Sequence, residues 1–168
     1  MSNQPIIQWH IAGLHALRSA SEQGQEGAET LVGKATSNEV RELVTAFGEL
    51  AAQHQTKFVG FLGEFDVEPN DFEDQIMKGI GKGRGEMVEA AADDVTRDLS
   101  LISGNQAGVD YYRGAFRGQG SLAEKLGHAE QGASLMAMAK EWDEMGERYT
   151  AVGEKVREQG AATVSETV

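Results

Sequence analysis

Four side chains in this 168-residue chain have the chemistry to hold a hard cation from inside a helical bundle: Glu22, His54, Asp110 and Glu141. Iron and manganese take carboxylate oxygen and imidazole nitrogen as ligands. A dinuclear site between four helices needs roughly four inward carboxylates and two imidazoles. The usual source is one Glu from each of two helices and a Glu-x-x-His from each of the others. No Glu-x-x-His occurs here: the residue three before His54 is Ala51, and Glu49 falls on the outward face. Arg113 would place a positive charge close to any metal, and a buried Arg113–Glu141 pair would satisfy both groups without one. The four residues therefore read as a depleted metal site or as a polar layer of the core. In the second case His54 is a hydrogen-bonded core histidine and Glu141 the partner of Arg113.

These readings depend on helices that turn the named residues inward. Apolar residues Ile7, Ile11, Leu14, Leu17, Ala28, Leu31 and Val32 recur at helical spacing, predicting a first helix from about Ile6 to Gly33. Its stripe passes through Ser21 and Gln25, with Glu22 flanking. Thr36 and Glu39 offer a capping box for a second helix. That helix carries Val40, Leu43, Val44, Phe47, Leu50, Ala51, His54, Phe58, Phe61, Leu62 and Phe65 without a break and ends near Asp66. His54 sits at the centre of its stripe, four residues from Leu50 and Phe58. Val67-Glu68-Pro69-Asn70 cannot continue it.

Phe72, Ile76, Met77, Ile80, Met87 and Val88 come next, interrupted by Gly79, Gly81, Gly83 and Gly85. This pattern predicts a weak, broken helix crossing from one end of the bundle to the other. Asp93 or Asp94 then caps a helix carrying Leu99, Ile102, Val109, Tyr112 and Phe116, with Gln106 and Arg113 on its inner face. Gly118-Gln119-Gly120 is expected to break it, and Ser121 and Glu124 to cap the last helix. The Met and aromatic stripe of that helix (Met136, Met138, Trp142, Met145, Tyr149) reads as core, with Glu141 at its edge. Residues 1–158 form one domain, and 159–168 read as a frayed, flexible tail.

Two hairpins joined by a long crossover is the wiring of an all-α, ferritin-like antiparallel four-helix bundle, the crossover holding a short or broken extra helix. Other chemistry fits less well. The glycine run beside Lys78, Lys82 and Arg84 lacks the Gly-Lys-Ser/Thr ending and the preceding strand of a phosphate loop, and reads as a flexible connector. His10 and His15 lie about 140° apart on a helix, too far round to share a face. No nucleophile elbow surrounds any serine.

A net charge of −12 argues against a nucleic-acid partner and against docking on anionic lipid. There is no cysteine, which removes disulfides, thiolate catalysis and Cys-based metal sites. Neither a leader peptide nor a stretch of 18 apolar residues is visible, so no membrane association is expected and a cytoplasmic location is the default.

The segment Leu14-His15-Ala16-Leu17-Arg18-Ser19-Ala20-Ser21-Glu22-Gln23 resembles the first helix of the YciE/YciF-type ferritin-like proteins, associated with bacterial stress responses. Ala35-Thr36-Ser37 through Pro69, the crossover to Val88, and Val109-Asp110-Tyr111-Tyr112 fit the same scheme, and PA2169-type bundles are about as close. The resemblance covers roughly Ile6 to Val156. It implies a dinuclear metal site, for which Glu22, His54, Asp110 and Glu141 are the matching positions. Ala51, Ala52 and Arg113 depart from the pattern. The expectation is thus a non-catalytic stress protein with a degenerate metal site and no cofactor, acting as a homo-oligomer, most simply a dimer. The alternatives are a dinuclear iron or manganese protein handling peroxide or Fe(II), and a helical adaptor or signalling bundle.

Overall fold

The computed structural model of the chain describes residues 4–165. Helix α1 spans Pro5–Leu31 and ends in a 3-10 turn at Val32–Lys34. It is followed by α2 (Asn38–Gln55), α3 (Phe58–Gly63), α4 (Gln75–Ala90), α5 (Asp94–Lys125) and α6 (Ala129–Ser165). No strand occurs among the described residues.

Pro5 opens α1 at a position where its missing N–H costs nothing. The cap of α2 is Ser37, one residue after the expected Thr36, and its hydroxyl accepts from the Val40 N–H at 3.3 Å. The Thr36 and Ser37 N–H groups instead donate to the two oxygens of Asp98, at 2.8 and 3.0 Å. Asp98 is buried on α5, so one carboxylate clamps the α1–α2 loop to the second hairpin.

The long second helix expected from the sequence breaks at Thr56–Lys57, where the Lys57 N–H bonds back to the His54 carbonyl in a tight turn. The chain resumes as α3 in the same phase, with Phe58, Phe61 and Leu62 still buried. Asp66 then takes a left-handed conformation (φ 56°), and the chain leaves the bundle ahead of Pro69.

The crossover does contain an extra helix, and α4 runs unbroken through its four glycines. Its start is tied down by one residue. Asp74 Oδ1 accepts from the Met77 N–H (2.6 Å), and Asp74 Oδ2 accepts from the Tyr111 hydroxyl (2.6 Å). The Asp74 N–H donates to Ser19 Oγ (3.0 Å). Met77, Arg84 and Val88 point inward from α4.

Asp93 caps α5 in a reciprocal box with Thr96. Helix α5 does not break at Gly118-Gln119-Gly120; it continues to Lys125. At Gly120 and Gly132 the backbones of α5 and α6 approach closely: a Cβ on Gly132 would lie 2.9 Å from the Gly120 carbonyl oxygen. These glycines serve helix packing. The chain turns later, at Gly127 (φ 90°), where the His128 N–H bonds the Ala123 carbonyl (2.9 Å) and the Gly127 N–H the Glu124 carbonyl (3.1 Å). That is a Schellman ending, and it replaces the expected Ser121 cap.

Helix α6 continues through Ser165, where fraying was expected from about residue 159, and residues 166–168 lie outside the described part. A Cβ on Gly160 would sit 3.1 Å from Val95, so this extension lies against the start of α5.

His10 meets Gln119 and Gln131 at one end of the bundle, while Lys155 meets Glu39 at the other. Helices α1 and α2 form one antiparallel hairpin and α5 and α6 the second. Helix α4 carries the chain back along the bundle, so α2 and α5 run parallel. Trp142, Tyr112, Tyr149, Phe47, Phe58 and Phe116 are fully buried between the hairpins. Tyr112 and Trp142 stack at 4.3 Å, an arrangement worth about 0.5–1.5 kcal/mol beyond area burial.

Candidate functional site

Of the four residues singled out by chemistry, two meet. His54, the last buried residue of α2, bonds Glu141 of α6 through Nε2. The imidazole is fully enclosed, edge-on to Phe116 (5.5 Å) and Trp142 (5.7 Å). Burial lowers its pKa, and the Glu141 carboxylate opposes this only in part. His54 is therefore neutral at pH 7, with Nε2–H donating to Glu141. Its Nδ1 has no hydrogen-bond partner, and neither does the buried Nε1 of Trp142. Glu141 reaches in from the surface and keeps 42% of its side chain exposed.

The other two residues are engaged elsewhere. Glu22 pairs with Arg18 one turn earlier on α1, at 3.4 Å. Asp110 is exposed and pairs with Arg113 at 2.9 Å on the same face of α5. The anticipated buried Arg113–Glu141 pair does not form: Arg113 is 39% exposed and its carboxylate is Asp110. Gln106 is likewise only half-buried, and the polar residue buried at this level of α5 is its neighbour Asn105. Among the described residues no three His, Asp or Glu side chains come together in a way that could hold a metal ion. One imidazole and one carboxylate are two of the roughly six donors of a dinuclear centre.

Two further polar chains were not legible as sites. In the first, Arg84 of α4 donates through Nη1 to Asn105 Oδ1. Asn105 Nδ2 donates to the Tyr149 hydroxyl (2.8 Å), which donates to the Leu43 carbonyl (3.1 Å). Four helices are threaded by this chain. Burial pushes the Tyr149 phenol pKa up, keeping it a donor. In the second, the two ring nitrogens of His10 meet Gln131 Oε1 (Nε2, 2.7 Å) and Gln119 Oε1 (Nδ1, 2.6 Å), and the Gln131 amide nitrogen donates to the Phe61 carbonyl (3.2 Å). His10 and His15 are both buried although they do not share a face, because α1 is covered on two sides.

A bundle of two hairpins joined by a packed crossover helix, with aromatic residues at mid-height, defines a ferritin-like helical protein. The chain belongs to the DUF892 family, described as a domain of unknown function, which matches residues 7–162. It is similar to the crystal structure of the E. coli stress protein YciF, with a TM-score of 0.87 and 18% identity, over 94% of this chain and 99% of that one. It is also similar to YcfI, a putative structural protein from Rhodopseudomonas palustris, with a TM-score of 0.74 and 17% identity, over 94% of this chain and 97% of that one. No curated protein matches the sequence. At these identities the likeness is one of fold. Among the described residues no helix is long and apolar enough to cross a membrane.

Proposed function

We propose that the protein is a non-catalytic, stress-related bundle that works in the cytoplasm as a homodimer, its ancestral metal layer reduced to the His54–Glu141 pair. The observation that carries this reading is the occupancy of the bundle interior. At the level of His54 the space between the hairpins is filled by Phe116, Trp142 and Tyr112, all fully buried. The remaining carboxylates singled out from the sequence are spent on Arg18 and Arg113. A reacting centre needs both donors and space for a substrate, and here the donors are two and the interior is packed.

Self-association is supported by the α1–α2 face. Gly48 and Ala28 bring the two helices together so tightly that a Cβ on Gly48 would lie 2.7 Å from that of Ala28. What remains outside is a shallow groove of about 190 Å³ lined by Ala28, Val32, Gly48 and Ala52, rimmed by Glu29 and Glu49. The glycines of α1 itself do not supply this face: Gly13, Gly24 and Gly27 are filled by Gln119, Tyr112 and Arg84 of the same chain. Light scattering on the eluting chromatographic peak should give twice the mass of the 18.1 kDa chain. Ala52→Arg should convert it to monomer without loss of helicity. A wild-type protein that is monomeric at all concentrations would overturn the pairing.

The alternative, a dinuclear iron or manganese protein, is favoured by one observation: His54 Nδ1 has no partner while Nε2 meets the Glu141 carboxylate. It requires metal to stabilise the fold and His54→Ala to abolish that stabilisation.

A further inference from the structure

Arg84 is a buried charge on α4. It is 6% exposed, and no ion pair to it forms among the described residues. Buried charges are ordinarily paired, because taking a charge out of water without a compensating partner is strongly unfavourable. The aliphatic part of the side chain lies across Gly104, where a Cβ would come within 2.3 Å of Cγ. Of the guanidinium nitrogens, Nη1 is taken by Asn105. Nε is enclosed and has no partner. Nη2 lies against Gly27, where a Cβ would come within 2.2 Å of it.

Nη2 is left without a protein acceptor, and a guanidinium N–H donates a strong charge-assisted hydrogen bond to a carboxylate or phosphate oxygen. Gly27 also lines a groove of about 390 Å³ between α1 and α4, with Arg84 at its floor and Gly81, Lys78 and Lys82 on the α4 side. Lys78 is committed to Glu73 at 2.7 Å, while Lys82 is 77% exposed and only loosely paired with Glu86 at 3.8 Å.

We propose that the α1–α4 groove is a binding site for a small oxyanion, a carboxylate or phosphate group, received by Nη2 of Arg84 with Lys82 at the rim. Glu26 and Glu73 also line the groove and disfavour a polyanion, so a ligand bearing a single anionic group fits best. The site is separate from the His54–Glu141 pair, and it stands whether or not the chain dimerises or binds metal.

Isothermal titration of the full chain with inorganic phosphate, and separately with sodium acetate, tests this at constant ionic strength set with chloride. Saturable one-to-one binding of either anion is expected, and whichever binds more tightly identifies the ligand class. Arg84→Met should weaken it by about tenfold or more, and Lys82→Glu by about threefold. Lys140→Glu, the same charge change on exposed α6, should leave it unchanged. Lys82→Glu keeps the test decisive if Arg84→Met does not fold. No saturable binding of either anion, or equal weakening by Lys82→Glu and Lys140→Glu, would overturn the proposal.

Discussion

Replacing Asn105 by Ala should be among the most costly single changes in α5 that remove few atoms. Asn105 is fully buried, accepts from Arg84 and donates to Tyr149 at 2.8 Å. A hydrogen bond to a charged group is worth about 1.5–3 kcal/mol and a neutral one about 0.5–1.5. Alanine recovers roughly 0.6 kcal/mol of helix propensity. The net loss is then about 3 kcal/mol, or a fall in Tm of about 6–12 °C for a domain of this size. Much of this is the cost of stranding the guanidinium, so it should shrink when the charge is absent. In an Arg84→Met background the same substitution should cost about 1–2 kcal/mol less. Chemical denaturation of the four proteins, in buffer free of phosphate and carboxylate anions, gives both numbers. Equal costs in the two backgrounds, or a Tm change under about 2 °C, would refute the network.

The glycines provide a paired prediction. Gly24→Ala puts a Cβ 2.3 Å from the Tyr112 hydroxyl, which donates to the Ala20 carbonyl, so it should lower Tm despite better helix propensity. Gly79→Ala and Gly83→Ala meet no neighbour and should each stabilise by about 0.5–1 kcal/mol, read from urea midpoints. Phe61→Asp places a charge in the α3 core contact with Phe58 and should leave little cooperative melting; a retained transition would contradict the face assigned to α3. For pH, the pKa of His54 is lowered in the fold from 6.5, so below about pH 6.5 the unfolded chain binds the proton first and stability falls with pH. His54→Gln should flatten the stability curve below about pH 6.5, and an unchanged slope would assign the titration to another group.

Much of the architecture was legible because apolar spacing survives local irregularity. The stripe from Val40 to Phe65 predicted one buried face, and that face is buried; the break at Thr56–Lys57 was hidden because α3 resumes in phase. Glycine misled twice. Open space around Gly79, Gly81, Gly83 and Gly85 leaves α4 intact, and contact at Gly120 and Gly132 keeps α5 going where a break was read. Composition cannot separate a glycine that breaks a helix from one that lets a neighbour approach.

The polar residues were harder. His54 and Glu141 were found by their place in the apolar arcs, but their pairing depends on which helices face each other across the core. Arg113 was assigned to Glu141 when a local carboxylate, Asp110, lay one turn away. Asn105 was missed by one residue in favour of Gln106, a 100° difference that helical periodicity alone does not resolve. Arg84 reads from the sequence as part of a flexible connector. Its burial follows from Gly27 and Gly104 on two other helices, and no local pattern carries that information.

Under the proposed function the interior of this bundle is a packed core without a working metal centre. Elemental analysis of protein purified after growth with added iron and manganese tests it most directly. The account predicts metal far below one ion per chain and an unchanged Tm after chelation. Close to two ions per chain, lost together with stability in His54→Ala, would contradict it.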